Sequence, residues 1–347
     1  MVSRVLCVRL DSAGDVLLAG PAVRAVAASG AEVTMLAGPV GADAARLLPG
    51  VGAVLEWCCP WIAAAAPPVD VRATSRLVDD LRRRRFDRAL VFTSFHQSPL
   101  PTALLLRLAG VAWIGAISED YPGSLLDLRH RVSDDVPEPE RALSLALAAG
   151  YRLPAGDDGR LSVRRPLPEP PAAIGGPYVV LHPGTSVPAR AWPVQHFAAL
   201  ARLLHDDGWQ VAVTGSAAEE SLGVHVAGSV GRNLAGRTSL AQLAAVLDEA
   251  AAVVVGNTGP AHLAAAVGTP VVSLFAPTVP AVRWAPYRVP CVVLGDQHAA
   301  CRDSRATTCP VPGHPCLSEV RPAEALTAVR LLARHPGAVA RPVEVTS

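Results

Sequence analysis

Apolar runs alternate with helix-compatible segments along almost the whole chain. Between the runs, apolar residues recur at i, i+3, i+4 and i+7, as in Phe197, Leu200, Ala201 and Leu204. This alternation is typical of parallel strands joined by crossover helices, so we predict an α/β protein. The runs are VLCVRL, EVTMLAG, RALVFTS, AWIGAIS, YVVLHPG, QVAVTG, AAVVVG and PVVSLFA.

One segment interrupts the alternation. From Arg164 to Pro177 the chain reads RRPLPEPPAAIGGP, rich in proline and glycine and without periodicity. The 347 residues also exceed the usual size of a single core. We therefore predict a first domain over residues 1–165, a linker over 166–177 and a second domain over 178–335 with a closing helix from Pro322 to Arg334. Residues 336–347 are expected to fray.

The most informative stretch begins at residue 253. Val253 to Val255 form an apolar run, GNTG follows as a turn, and a proline then opens an alanine-rich helix. A helix start presents unpaired N–H groups and partial positive charge, so a phosphate or diphosphate is its natural ligand. Thr258 and His262 lie one helical turn apart and are expected to face that ligand. The alternative for His262 is a satisfied helix histidine.

Two other loops follow predicted strands and carry polar residues. The loop HPGTS, from His182 to Ser186, continues to Arg190 and offers two hydroxyls and one arginine for a diphosphate; a turn with an exposed arginine is the alternative. The loop RLDSAGD ends at Asp15, where a carboxylate could act as general base or cap the next helix. Asp11 could take either role.

The basic residues are all arginine. None of the 31 is lysine, which excludes a Walker A lysine, a Schiff-base lysine and a lysine general base. Any phosphate must be held by arginine, hydroxyls or backbone N–H groups. The net charge of +1 argues against a nucleic-acid partner.

The apolar runs are too short to span a membrane. None reaches the roughly 18 residues that a spanning helix needs, and Asp11 and Asp15 interrupt the stretch that might pass for a signal peptide. We expect a cytoplasmic protein with at most peripheral membrane association.

Seven cysteines without a secretory signal indicate thiols or metal ligands rather than disulfides. Cys301, Cys309 and Cys316, with His314 and His298 nearby, could bind a structural zinc ion, but the spacing C-x7-C-x6-C is not that of a standard zinc knuckle. Thiols in a loop without metal are the alternative.

Three motifs together resemble glycosyltransferase family 9, the heptosyltransferase type. They are R-x-x-S-x-G-D-V-L-L-x-x-P, LHPGTS followed by R-x-W-P, and G-N-T-G-P-x-H-L-A-A-A-x-G-T-P-V-V-x-L-F-x-P-T. The resemblance covers roughly residues 3 to 335. It implies a GT-B fold, two Rossmann-like domains facing across a cleft. It also implies metal-independent, inverting sugar transfer from a nucleoside diphosphate donor, ADP-heptose in the best-known members, with no cofactor.

Site residues follow from the motifs. Asp15 matches the family's proposed general base, and Glu219 matches a contact to the donor ribose, although a solvated first-turn glutamate is the alternative. Many relatives have aspartate where this chain has Asn257. Replacing a carboxylate by an amide removes like-charge repulsion beside a diphosphate, and it also removes one possible contact to sugar hydroxyls. The other matched donor residues are Thr185, Ser186, Arg190, Thr258, Gly259 and His262. Further cleft candidates are Arg9, Ser12, Gly14 and Trp192.

The acceptor is not readable from these motifs. Lipopolysaccharide core is the acceptor of the best-known relatives, and another saccharide or a small molecule stays open. Two other functions also stay open: a GT-B sugar-nucleotide epimerase and a non-catalytic nucleotide-sugar-binding protein. The candidates for stacking on a sugar are Trp57, Trp61, Trp113, Trp192 and Trp284.

Overall fold

A computed structural model describes residues 2–63, 66–132, 135–171 and 173–333. The chain divides into two compact units, Met1–Arg164 and Arg165–Ser347. Each contains one six-stranded parallel sheet, so the predicted α/β class is confirmed. The described residues of 166–177 form neither helix nor strand, and their role as a linker stays a prediction. The predicted fraying tail, 336–347, lies outside the described residues.

The sheet of the first unit has the strand order β3-β2-β1-β4-β5-β6. This is the doubly wound Rossmann order, in which the chain reverses direction across the sheet between β1 and β4. The strands are β1 (Arg4–Arg9), β2 (Glu32–Ala37), β3 (Val51–Glu56), β4 (Arg88–Val91), β5 (Trp113–Ile117) and β6 (Leu128–His130). The helices are α1 (Ala13–Leu18), α2 (Gly20–Ala27), α3 (Ala42–Leu47), α4 (Val71–Arg84), α5 (Leu100–Leu108) and α6 (Glu138–Ala148).

The sheet of the second unit repeats this order around β7. Read from one edge it is β12-β11-β10-β7-β8-β9, so β7 and β10 flank the second reversal point. The strands are β7 (Tyr178–His182), β8 (Gln210–Val213), β9 (Gly231–Asn233), β10 (Ala252–Gly256), β11 (Val271–Leu274) and β12 (Cys291–Leu294). The helices are α7 (Val194–Asp206), α8 (Glu220–Ala227), α9 (Leu240–Asp248), α10 (Gly259–Val267), α11 (Ala281–Trp284), α12 (Pro315–Ser318) and α13 (Pro322–Ala333).

The predicted periodicity of α7 is confirmed by its packing. Phe197, Leu200 and Leu204 are buried in one core cluster with Leu181 of β7 and Val254 of β10. Full burial of each such side chain contributes about 1.5–3 kcal/mol. Helix α7 therefore fixes the two central strands whose ends carry the candidate donor loops.

Two further predictions bear on the ends of the fold. The closing helix is present as α13, although its predicted last residue, Arg334, lies outside the described residues. Within the described parts of the chain, no helix combines the length and apolar character that membrane crossing requires.

Candidate active site

The loop after β1 is organised by a capping box. The Ser12 hydroxyl accepts a hydrogen bond from Asp15 N at 3.3 Å, and the Asp15 carboxylate accepts one from Ser12 N at 3.4 Å and one from Ser12 Oγ at 2.6 Å. Ser12 is the N-cap of α1, and Asp15 is its third residue. The alternative of Asp15 as N-cap was therefore wrong, because Ser12 holds that position and fixes the Asp15 carboxylate at the helix start.

Arg9, at the end of β1, lies buried among acidic side chains. Its Nε donates to Asp11 Oδ1 at 2.6 Å, and its Nη2 donates to Asp15 Oδ1 at 3.0 Å and to Ser94 Oγ at 2.8 Å. Nη1 lies 3.9 Å from Glu138 Oε2 on α6. The guanidinium therefore connects Asp15 to side chains that follow β4 and to the start of α6.

Charge and burial shift the pKa values of two of these groups. Burial lowers the pKa of Arg9, but the charges of Asp11, Asp15 and Glu138 outweigh it, so the pKa lies above its ordinary value. Burial raises the pKa of Asp11 to about 6, aided by the charge of Asp15 and opposed by Arg9 and by the Ser94 hydrogen bond. At neutral pH the cluster therefore holds a charged Arg9 and an ionised Asp11.

In the second unit, the loop after β7 is shaped by hydroxyl and glycine residues. The Thr185 hydroxyl accepts from Val187 N at 3.1 Å and donates to Val187 O at 3.2 Å, while Ser186 is exposed. A Cβ atom at Gly184 would overlap the carboxylate of Glu219. Gly184 therefore lets Glu219 lie directly against the backbone of this loop.

Glu219 is held by its own capping box. Its Oε2 accepts from Ser216 N at 2.7 Å and from Ser216 Oγ at 2.8 Å. Glu219 is half-buried, whereas the alternative of a solvated first-turn glutamate predicts an exposed side chain. Its proposed contact to a ribose stays a prediction.

Arg190 joins the loop after β7 to the turn after β10. Its Nη1 donates to Asn257 O at 3.3 Å, and its own carbonyl lies 3.2 Å from where a Cβ of Gly256 would be. Arg190 is half-buried rather than the exposed arginine of the alternative reading. A guanidinium is thus placed beside the start of α10, where an anion is favoured.

The Asn257 side chain is committed to the backbone of the next loop. Its Oδ1 accepts from Ala276 N at 3.4 Å and its Nδ2 donates to Ala276 O at 3.5 Å, and the residue is buried. The amide therefore joins the ends of β10 and β11, and the place of Asn257 among the donor-binding residues stays a prediction.

Helix α10 begins as the sequence predicts. Thr258 is the N-cap in extended conformation, Gly259 is the first helical residue, and the Thr258 hydroxyl hydrogen-bonds to Gly256 O at 3.4 Å. His262 is buried on the same helix, and its contact with a ligand stays a prediction. The amides at the start of a nine-residue helix are therefore not capped by the Thr258 side chain.

Trp192 is a core residue. It is 2% exposed, its Nε1 donates to Val320 O at 3.0 Å, and its ring packs edge-on against Phe197 at 4.8 Å between centroids. This corrects its place among the cleft and sugar-stacking candidates. Its position just before α7 in the R-x-W-P motif is explained by packing.

The segment from Cys301 to Cys316 contacts the backbone beside Arg190, since His314 Nε2 lies 3.1 Å from Ala189 O. Burial raises the pKa of the Cys301 thiol, and the Cys309 thiol donates to Val311 O at 3.5 Å. Within the parts of the chain that the structure describes, no group of three or more His, Cys, Asp or Glu side chains is arranged to hold a metal ion. The zinc alternative therefore finds no support there.

The structure thus brings the predicted residues together in two groups. The first group lies beside the reversal point of the second sheet and consists of Thr185, Arg190, Glu219, Asn257 and Thr258, with Ser186, Gly259 and His262 on the same loops. The second group lies beside the reversal point of the first sheet and consists of Arg9, Ser12, Gly14 and Asp15. The sequence reasoning missed Ser94 and Glu138; Ser94 follows β4, so the reversal-point rule would have indicated its loop.

Comparisons with known proteins agree on one family. The chain matches the family model described as Glycosyltransferase family 9 (heptosyltransferase) over residues 74–314. It is 32% identical over 306 residues to lipopolysaccharide heptosyltransferase 1 of Pseudomonas aeruginosa, covering 80% of this chain and 79% of that protein. It is 29% identical over 247 residues to lipopolysaccharide heptosyltransferase 2 of Escherichia coli, covering 61% of this chain and 66% of that protein, just under two thirds of its length.

Solved structures share the fold. The ADP-heptose lipopolysaccharide heptosyltransferase II of E. coli superposes with a TM-score of 0.73 at 22% identity, covering 95% of this chain and 98% of that one. A family 9 glycosyltransferase of Veillonella parvula has a TM-score of 0.77 at 15% identity, covering 95% and 97%. An E. coli heptosyltransferase with ADP-2-deoxy-2-fluoro heptose has a TM-score of 0.71 at 21% identity, covering 94% and 99%. The fold is GT-B, built from two Rossmann-like domains.

Proposed function

The chain belongs to glycosyltransferase family 9, and from this membership we propose that it transfers a heptose from ADP-heptose to an acceptor hydroxyl, with inversion and without a metal ion. The observation that carries the proposal is the junction in the second unit where Arg190 reaches the carbonyl of Asn257 beside the start of α10. One relative of the same fold is solved with ADP-2-deoxy-2-fluoro heptose, which supports an ADP-linked donor.

The second unit supplies the proposed diphosphate site. Arg190 offers a planar, permanently charged donor, Ser186 offers an exposed hydroxyl, the first amides of α10 point toward the start of the helix, and the Thr185 hydroxyl would turn from Val187 O to the phosphate. Arg190 and the start of α10 are already joined through Asn257 O, so they would stabilise the negative charge that develops on the leaving diphosphate with little rearrangement. This is the physical basis for proposing that no metal is required.

The first unit supplies the proposed base. Asp15 would remove the proton from the acceptor hydroxyl as its oxygen attacks the anomeric carbon, while the bond from that carbon to the diphosphate oxygen breaks. Attack opposite the leaving group inverts the configuration. The Ser12 capping box orients the Asp15 carboxylate for this step.

The names of the relatives support a lipopolysaccharide-type saccharide as acceptor. Both curated relatives described above are lipopolysaccharide heptosyltransferases. We extend that acceptor class to this chain as part of the proposal.

Thermal unfolding with a panel of nucleotide sugars tests the donor. A donor at about 100 times its Kd stabilises by roughly 2.7 kcal/mol, which raises Tm by about 5–10 °C in units of this size. We expect ADP-heptose to give the largest shift and Arg190→Ala to abolish it. Arg165→Ala, which breaks an exposed pair with Asp248, is the matched control and should keep the shift.

The acceptor step is tested by nucleotide release. We expect ADP to appear only when a heptose-accepting lipopolysaccharide core is added, because a transferase needs both substrates. Release without acceptor, or interconversion of the donor sugar, would favour the epimerase. In the thermal unfolding experiment, a larger rise in Tm with a UDP- or GDP-sugar than with ADP-heptose would overturn the donor assignment.

A further inference from the structure

Three carboxylates of the first unit surround one guanidinium, and the proposed reaction uses only Asp15. The Arg9 side chain is 3% exposed and pairs with Asp11 at 2.6 Å, with Asp15 at 3.0 Å and with Glu138 at 3.9 Å. The shortest contact is therefore to Asp11. Arg141 Nη1 lies 3.7 Å from the same oxygen of Glu138, Oε2.

Asp11 is held in place on both of its oxygens. Oδ1 accepts from Arg9 Nε, and Oδ2 accepts from Ser94 Oγ at 2.9 Å. Ser94 also accepts from Arg9 Nη2, and its backbone N–H donates to Gln97 Oε1 at 3.0 Å. Asp11 and Arg9 thus form a closed, buried arrangement anchored on the loop after β4.

We propose that Asp11 is a positioning residue for Asp15: it compensates the charge of Arg9, so that the Asp15 carboxylate keeps the basicity needed to take the acceptor proton. The inference rests on the proposed role of Asp15 as general base. An uncompensated guanidinium at 3.0 Å would stabilise the Asp15 carboxylate and weaken it as a base. The negative charge of Asp11 opposes this, because at the Asp15 carboxylate it offsets the positive charge of Arg9.

The pH range of this effect follows from the charged groups linked to Asp15 through Arg9. Arg9 pairs directly with Asp15, Asp11 and Glu138 pair with Arg9, and Arg141 pairs with Glu138. Burial raises the pKa of Asp11 to about 6, so its charge is present at neutral pH and disappears as the pH falls below that value. Compensation of Arg9 is then lost at the acid end of the activity range.

Carboxyl carbon NMR of protein labelled at aspartate tests the proposal without any substrate. We expect the Asp15 carboxyl carbon signal of the parent to move as the pH falls through about 6, where Asp11 loses its charge, and Asp11→Asn to abolish this movement. Asp11→Glu keeps an ionisable carboxylate and should keep the movement. Asp157→Asn breaks another partly buried Arg–Asp pair of the same unit, with Arg24 at 2.7 Å, and should change nothing at Asp15.

Activity gives a second readout. Asp11→Asn should lower kcat at neutral pH about three- to tenfold with little change in KM. The difference from the parent should vanish well below pH 6, because Asp11 of the parent is then neutral as well.

Several results would overturn the inference. These are an Asp15 carboxyl signal of the parent that does not move near pH 6, a movement that persists in Asp11→Asn, and a movement that is lost in Asp157→Asn. Failure of the proposed function looks different. If Asp15→Asn transfers sugar at the parent rate, the role of Asp15 as base is refuted. If Asp15→Asn is inactive but the Asp15 signal of the parent does not respond to the titration of Asp11, only this inference is refuted.

Discussion

Replacing Asn257 by aspartate tests whether this position serves the fold or the donor. The amide of Asn257 both accepts from Ala276 N, at 3.4 Å, and donates to Ala276 O, at 3.5 Å. An ionised carboxylate can accept but cannot donate, so one of its oxygens would face the Ala276 carbonyl in a site that is 5% exposed. Asn257→Asp therefore loses a hydrogen bond and places two acceptor oxygens, one of the carboxylate and one of the Ala276 carbonyl, against each other in a buried site.

The cost follows from these contacts. An unsatisfied buried acceptor costs about 1–3 kcal/mol. For a domain of this size, this lowers Tm by about 3–10 °C at pH 8. A protonated carboxyl group can donate to Ala276 O again. The stability deficit should therefore narrow as the pH falls from 8 toward 5, since burial raises the pKa of the introduced carboxyl group.

Thermal unfolding across this pH range measures the deficit. Asn233→Asp is a matched control: Asn233 also accepts from a backbone N–H, that of Ala235, at 3.0 Å and donates to a carbonyl, that of Glu220, at 3.3 Å, but it is only half-buried. Its substitution should cost less and depend less on pH. A variant at 257 as stable as the parent at pH 8, or a deficit that widens on acidification, would refute the reasoning.

Three other expectations concern single residues. Asp15→Ala should reduce transfer by at least about a hundredfold and leave the donor-induced rise in Tm intact, because it removes a base and no donor contact; a parent-like rate would contradict this. Gly184→Ala should displace Glu219 and weaken donor binding measured by calorimetry, and combining it with Glu219→Ala should restore part of the loss if steric overlap is the cause. Burial lowers the pKa of His182 to about 4, so this residue makes stability in urea fall as the pH drops from about 6.5 toward 4; His182→Gln should flatten that slope, and an unchanged slope would show that other groups produce it.

The features that the sequence predicted are those with local signals. The turn before α10 was predictable because glycine, threonine and proline in that order stop a strand and start a helix. The repeated strand-and-helix alternation predicted the α/β class for the same reason. Both rest on residues that are neighbours along the chain.

The features that the sequence missed depend on contacts between distant residues. Nothing near Asn257 indicates that its amide pairs with Ala276, because that contact exists only once β10 and β11 lie side by side. Trp192 was misassigned because a single sequence does not distinguish a tryptophan buried in the core from one that lines a ligand site. The alternative of Asp15 as N-cap placed the start of α1 three residues too late, since serine and aspartate are both acceptable caps and only the backbone decides.

The backbone next to Arg190 is held on both sides by the segment that follows β12. Ala189 N donates to the backbone carbonyl of Thr307 at 2.9 Å, and Ala189 O lies 3.1 Å from His314 Nε2. The first of these contacts is independent of the side chain at 307, whereas the second needs His314. Over evolutionary time, the residues between 302 and 313 can therefore change in type more readily than in number, because an insertion or deletion there would displace Arg190 and with it the proposed phosphate site.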